Sequence, residues 1–323
     1  MSKFSRFTLQ SLFFTENEKV INYRDNSGSL DSVHWGQRKL LTGEILLLTK
    51  YLTKDIENAI MVVAGGAHGT HYKIIEEMFP DIKQIILYDP SEFRVLETDK
   101  IKIVKELFTD DLAREFGAME NVIFLSDIRS VSEGESSPTE YDIDRDMQMQ
   151  MRWVELMRPL VAMLKYRLPY YDKGGNKEER FKEYPYLKGI VFKQVWNRQK
   201  STEGRLIVER PDGDQEYDKV KTKTTESEDV YFYHNHVARG KRKYYTDFSI
   251  PGIGFDYNLD DSYDSIAESA IIYQYLVTLS DGETVYATRE NIVAISDYFS
   301  RELSQNKDKY LTLRDKRKKA RSG

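Results

Sequence analysis

Two lysines, an aspartate and a glutamate (Lys39, Asp127, Lys165 and Glu203) stand in short segments that share a pattern: Gly36-Gln37-Arg38-Lys39, Ser126-Asp127-Ile128-Arg129, Leu164-Lys165-Tyr166-Arg167 and Thr202-Glu203-Gly204-Arg205. Amines and carboxylates beside apolar elements persist when they neutralise one another, and such a group can hold and activate a hydroxyl. Asp127, Lys165 and Glu203 each have an arginine two residues later, at Arg129, Arg167 and Arg205. A guanidinium fork suits a phosphate, so a strand end carrying the reactive residue would set a phosphate grip beside it. Taken singly, each charge also reads as a solvated surface residue or as part of a structural ion-pair network. Between the first and second segments runs Ala64-Gly65-Gly66-Ala67-His68-Gly69-Thr70. Glycines there let a ligand approach the backbone closely, and Asp89, closing the next apolar run, can accept hydrogen bonds from both hydroxyls of a ribose. The spacing suits S-adenosylmethionine or NAD alike.

Elements must bring these residues together. Gln37 to Tyr51 has helical apolar spacing, which puts Lys39 in a first turn; Ile60 to Ala64 is a continuous apolar run, and His71 to Phe79 is helical again. Gln84 to Asp89, Lys100 to Val104 and Asn121 to Asp127 read as further strands, two of them ending in an acid. Strands alternating with helices at this spacing predict an α/β fold, mostly parallel, with ligands at the carboxyl ends of the strands. Val131 to Thr139 reads as a loop long enough to move over a site, Asp144 to Met157 as a helix, and Leu160 to Arg167 as the strand delivering Lys165. Leu187 to Trp196 and Arg205 to Glu209 read as two strands around a turn that carries Glu203. Asp229 to Arg239, Asp264 to Thr278 and Asn291 to Leu303 are expected helices, and Gly252 to Tyr257 a loop. The expected organisation is an N-terminal segment, 1–34, a main domain, 35–303, and a basic, disordered tail, 304–323, that ends in Arg314-Asp315-Lys316-Arg317-Lys318-Lys319-Ala320-Arg321.

The 323 residues are 40% apolar and 12% aromatic, enough for a large core. Without cysteine the chain has no disulfide, no thiolate nucleophile and no cysteine zinc site, which fits a reducing compartment. Its five histidines lack metal-ligand spacing, so no metal is expected. No run of eighteen apolar residues occurs, and Met1-Ser2-Lys3-Phe4 lacks a signal-peptide pattern, so neither membrane nor export is expected and the cytoplasm is the default. A net charge of −5 argues against indiscriminate binding of nucleic acid and confines any RNA contact to a local basic groove. Tyr170 and Tyr171, followed by Asp172, read either as core and rim fillers or as a platform for a flat, positively charged ring. His234-Asn235-His236 spells a nuclease triplet without its framework and reads as part of a helix.

With these residues in view the chain resembles the poxvirus cap-specific mRNA (nucleoside-2′-O-)-methyltransferases, a family that doubles as the processivity subunit of the viral poly(A) polymerase. The resemblance runs from Trp35 to Arg239. It is carried by Gly36-Gln37-x-Lys39-Leu40-Leu41-x-Gly43-Glu44, Gly65-x-Ala67-x-Gly69-Thr70-His71, Ser126-Asp127-x-Arg129-Ser130 and Leu164-Lys165-x-Arg167-x-Pro169. It implies a Rossmann-like S-adenosylmethionine-dependent methyltransferase fold, with an antiparallel strand near the end of the sheet and helices on both faces. It makes Lys39, Asp127, Lys165 and Glu203 the catalytic tetrad. It sets Gln37, Gly65, Gly66, Ala67, Gly69, Asp89, Phe108, Thr109 and Asp127 around S-adenosylmethionine, which leaves as S-adenosylhomocysteine. Tyr23, Tyr170, Asp172 and Glu228 fall at the pocket for the cap base. The chain departs from the family at Pro90-Ser91, where the family has Gly-Arg, at His68 in place of a proline, and at Tyr170 in place of a phenylalanine.

The implied reaction is methylation of the ribose 2′-oxygen of 7-methylguanosine-capped RNA. Lys165 would activate the hydroxyl, as a neutral amine favoured by Lys39 or as an ammonium that turns an oxygen lone pair. Arg129, Arg167 and Arg205 would bind backbone phosphates, and DNA, lacking the hydroxyl, would not react. Two rival readings remain: a methyltransferase of structural RNA, which shares the tetrad but lacks the cap clamp, and an RNA-holding subunit partnered with a poly(A) polymerase.

Overall fold

The computed structural model describes residues 5–6, 9–15, 34–52, 56, 58–173, 176–198, 200–239, 244–245, 263–280, 283 and 285–303. Tyr23, the expected loop 252–257 and the basic tail lie outside the described residues. The chain forms two compact units, one drawn from residues 52–192 and 202–229 and the other from 1–51, 193–201 and 230–323.

The first unit is built on a seven-stranded sheet. Strands β1 (Ile60–Ala64), β2 (Gln84–Tyr88), β3 (Ile101–Val104), β4 (Val122–Ser126) and β5 (Val161–Tyr166) are followed by β6 (Glu183–Leu187), β7 (Ile190–Phe192), β8 (Gly204–Glu209) and β9 (Lys219–Lys223). The order in the sheet is β7-β8-β5-β4-β1-β2-β3. Pairings from β3 across to β5 are parallel, while β8 runs antiparallel to β5 and β7 antiparallel to β8. Continuous apolar runs in β1 and β4 follow from burial on both faces, which parallel strands under helices require. Beyond β1 the chain steps outward through β2 and β3, then returns to β4 on the other side of β1. That reversal makes the gap between the carboxyl ends of β1 and β4 the topological switch point, where open α/β sheets bind ligands. β6 and β9 form a separate antiparallel pair.

Helices α2 (Tyr72–Met78), α3 (Asp110–Gly117) and α4 (Glu140–Met157) link the parallel strands. α4 begins four residues earlier than its apolar spacing suggests. Thr139 and Asp142 form a reciprocal capping box that satisfies amides of the first turn. The single strand expected over 187–196 is instead β6, a break at Lys188-Gly189, and β7. Lys188 donates its amide to the Asp218 carbonyl at 2.8 Å, so the chain turns away from β6 before β7 starts.

The second unit contains α1 (Gly36–Tyr51), α6 (Tyr263–Leu279) and α7 (Arg289–Glu302). Arg38 is fully buried there between Trp35, Trp196 and Phe299. Its guanidinium grips the Glu268 carboxylate with both ends, at 2.5 and 2.6 Å, and donates to Ser300 Oγ at 2.7 Å. Glu268 also accepts from Trp196 Nε1 at 2.9 Å and from Ser296 Oγ at 2.9 Å. Such saturation is what makes a buried charge pair tolerable. Helix α5 (Thr224–Phe232) runs on into a π-helical turn, Tyr233–Ala238, that carries His234, Asn235 and His236. All three are buried. Asn235 accepts from Arg239, which in turn clasps Asp264 through two 2.8 Å contacts, so the triplet belongs to a packed polar core. No helix among the described residues is long and apolar enough to cross a membrane.

Candidate active site

Gly65 turns the chain at the end of β1 with φ of +83°, and a Cβ there would stand 2.9 Å from the backbone carbon of Asp127 and the nitrogen of Ile128. Only glycine lets β1 and β4 finish so close together. The Asp127 amide donates to the Ala64 carbonyl at 2.9 Å, which sets Asp127 directly beside the glycine turn at the switch point. Gly69, with φ of +72°, keeps the rest of the loop folded back on the Gly66 carbonyl.

One strand over, β5 and β8 pair so that Lys165 faces Arg205. Two cations facing across a ladder repel, and here two carboxylates join them. Lys165 Nζ lies 3.1 Å from Asp127 Oδ1 and 3.8 Å from Glu203 Oε2. Arg205 Nη2 lies 2.5 Å from the same Asp127 oxygen and 3.7 Å from Glu203 Oε1. The side chains are 13%, 27%, 17% and 3% exposed for Lys165, Asp127, Glu203 and Arg205, so the lysine keeps some exposure while the arginine is closed in. Three of the four expected tetrad residues therefore meet, beside the glycine turn. Lys39 lies on α1 in the other unit and is 9% exposed. Gln37 is on the same helix.

Asp89 follows β2. One of its carboxylate oxygens accepts from the Ala67 amide at 3.2 Å and the other from the Ser91 amide at 2.9 Å. A carboxylate has about four acceptor sites, so these bonds fix its orientation and leave capacity for a diol. This pair of acceptors fits the ribose diol of a nucleoside, and S-adenosylmethionine carries one. Phe108 and Thr109 have structural tasks. The Phe108 ring is 5% exposed and packs on Tyr88, Phe124 and Trp153 at centroid distances of 5.2, 5.5 and 5.0 Å. Thr109 caps α3 by accepting the Leu112 amide at 3.3 Å.

Each of the three arginines expected to bind phosphates faces a neighbouring acid. Arg205 is bound inside the cluster. Arg167 is clasped by Glu140, at 2.7 and 3.0 Å, under the Tyr170 ring. Arg129 faces Asp146 at 3.5 Å, with both terminal nitrogens shut from solvent. Burial pulls its pKa below the ordinary arginine value, against the opposing charges of Glu203 and Asp146. What the three share is burial at the ends of β4, β5 and β8, where each faces at least one neighbouring acid. The loop expected over Val131 to Thr139 is anchored near its two ends, at Ser132 and Thr139, while its middle is exposed. Asp142 accepts from the Ser132 hydroxyl, and Asp146 accepts the Ser130 amide at 2.8 Å. Among the cap-pocket candidates, Tyr170 is partly exposed and its hydroxyl meets Thr202 Oγ1 at 2.9 Å. Asp172 lies in a short ladder with Lys177, and Glu228 lies on α5. Glu140 and Thr202 were missed by sequence reasoning; the one signal for Glu140 was its place directly after a capping threonine. Among the described residues no group of three or more His, Asp or Glu side chains is arranged to hold a metal ion.

A family profile described as the poly A polymerase regulatory subunit matches residues 9–307. The chain belongs to the poly A polymerase regulatory subunit family. This family member is also similar to the cap-specific mRNA (nucleoside-2′-O-)-methyltransferase of Myxoma virus (strain Lausanne), with 29% identity over 175 residues that cover 50% of this chain and 51% of the relative. The enzyme of that name from Fowlpox virus (strain NVSL) is 27% identical over 175 residues, covering 50% of this chain and 56% of the relative. The chain thus spans about half the length of the curated relatives it matches.

Proposed function

We propose that this poly A polymerase regulatory subunit family member methylates the ribose 2′-oxygen of capped mRNA, converting cap 0 to cap 1, with S-adenosylmethionine as methyl donor. The observation that carries the reading is the Asp127-Lys165-Glu203 cluster at the switch point, beside a glycine turn and within one strand of a carboxylate suited to a ribose diol. When bound, S-adenosylmethionine supplies an electrophilic methyl group on its sulfonium.

Everything else falls to the protein. The Lys165 ammonium donates to the 2′-hydroxyl and turns an oxygen lone pair toward the donor; as the oxygen–methyl bond forms and the sulfur–methyl bond breaks, the hydroxyl proton passes to solvent, while Asp127 and Glu203 hold the ammonium in that direction. Arg205 donates to the same Asp127 oxygen that faces Lys165, which helps to hold the carboxylate in place. Support for Lys39 as a fourth member, and for Tyr23, Tyr170, Asp172 and Glu228 around the cap base, comes from the resemblance. A requirement for the 2′-oxygen makes RNA the substrate and DNA inert. The family description supports a second role, association with the catalytic subunit of a poly(A) polymerase. The two are compatible, because chemistry at the strand ends leaves other surfaces for a protein partner.

The test is Lys165→Ala in the full chain. Methyl transfer to capped RNA should be lost while S-adenosylhomocysteine still binds. Full activity in the purified variant would remove Lys165 from the mechanism, and wild-type activity on uncapped structured RNA alone would point to structural RNA as the substrate.

A further inference from the structure

The first residue of α4 makes contacts that a helix start does not need. Glu140 is 7% exposed, and both its oxygens are engaged. Arg167 Nη1 donates to Oε2 at 2.7 Å and Nη2 to Oε1 at 3.0 Å. The Tyr170 amide donates to Oε2 at 2.7 Å, and Lys173 Nζ lies 3.2 Å from Oε1. One carboxylate therefore fixes both partners of a stack, because the Arg167 guanidinium carbon sits 3.9 Å from the centre of the Tyr170 ring. At its far end the ring is tied through its hydroxyl to Thr202, the residue before Glu203.

Charge gives this arrangement a consequence. A base stacked on the ring face turned away from Arg167 would stand roughly 7–8 Å from the guanidinium. At that distance two unit charges in an effective dielectric of about 20 repel strongly enough to change an affinity about 30- to 50-fold, and solvent at the partly exposed ring screens this to about tenfold. A neutral base would not feel that repulsion. A carboxylate clasping the guanidinium with both oxygens cancels most of it.

We propose that Glu140 is a specificity-determining positioning residue: it holds Arg167 flat against one face of Tyr170 and neutralises it, so that the opposite face accepts a positively charged base such as 7-methylguanine. The inference rests on reading Tyr170 as the residue that stacks the cap base. It adds to that reading how the ring is set and why its cationic neighbour does not repel a cationic ligand.

The experiment titrates 7-methylguanosine triphosphate and guanosine triphosphate separately into the full chain, as wild type, Glu140→Gln and Glu140→Asp. Glutamine keeps an oxygen for the Tyr170 amide and removes the charge. The expected result for Glu140→Gln is about a tenfold loss of affinity for the methylated nucleotide, less than about twofold for the unmethylated one, and unchanged affinity for S-adenosylhomocysteine. Glu140→Asp, which keeps the charge, should recover most of the discrimination. Equal losses for both nucleotides, or an unchanged ratio, would overturn the proposal, since a merely structural defect moves both together. If the wild type binds neither nucleotide, the cap-base reading itself fails. The positioning role is then judged by nuclear magnetic resonance of the Arg167 side chain: loss of its ring-current shift in Glu140→Gln supports that role, and persistence of the shift overturns it.

Discussion

Lys165 has three charged groups around it, and their distances rank their tasks. Asp127 at 3.1 Å is the orienting partner, Glu203 at 3.8 Å the second, and Arg205 reaches both acids from the opposite strand. Removing the amine should slow single-turnover methyl transfer by about 10²–10⁴-fold, the usual range for a positioned proton-managing group, with cofactor affinity within about twofold by calorimetry. A large loss of cofactor binding would show that Lys165 builds the cofactor pocket instead. Glu140 gives a pH signature. Burial would raise its pKa, but the hydrogen bonds and charge of Arg167, with the Tyr170 amide and Lys173, outweigh it and hold the carboxyl below its ordinary range. A carboxyl so depressed stabilises the fold above its unfolded pKa, about 4.3, and that contribution disappears as pH falls through the lower folded value. Wild type should therefore lose melting temperature relative to Glu140→Gln as the pH drops below about 5, and parallel melting curves across that window would show that the Glu140–Arg167 pair does not contribute. Which acids would meet which arginines was not legible in the sequence: Glu140 and Arg167 are 27 residues apart, Asp127 and Arg205 78, and only the sheet order pairs them.

At the scale of elements, β1, β2, β4 and β5 were readable because strands covered on both faces are written as apolar runs. Helix α3 buries only Ala113 and Phe116, too short a stripe to stand out. The start of α4 was hidden because its first turn, Glu140-Tyr141-Asp142, continues the polarity of the Ser- and Pro-containing loop, and the capping box that begins it is a geometric relation. Thr139→Ala should cost about 1 kcal/mol in urea unfolding, a typical loss for a capping threonine. No change would mean that Asp142 alone holds the helix end. The turn after β1 is less forgiving. Gly65→Ala adds a methyl 2.9 Å from backbone atoms of Asp127 and Ile128 at a left-handed φ, so the strand ends must part. The expected loss is about 1–3 kcal/mol or more, together with weakened cofactor binding. A variant with native stability and native affinity would show that the close approach of β1 to β4 has no part in the site.

For the molecule as a whole, family membership over residues 9–307 covers both compact units, whereas the similarity to the viral methyltransferases covers half of the chain. The helical unit has its own stability test. Arg38→Met leaves the Glu268 carboxylate buried without its cation and should destabilise the protein by about 3–5 kcal/mol in denaturant unfolding, far more than a surface charge would. The central claim, methyl transfer to the 2′-oxygen of capped RNA, is tested most directly by incubating the full chain with radiolabelled S-adenosylmethionine and three short RNAs of one sequence: capped, uncapped, and capped with the target 2′-oxygen already methylated. Label entering the capped RNA alone is the predicted result. Label entering the uncapped or the already methylated RNA as readily, or entering none of the three, would contradict it.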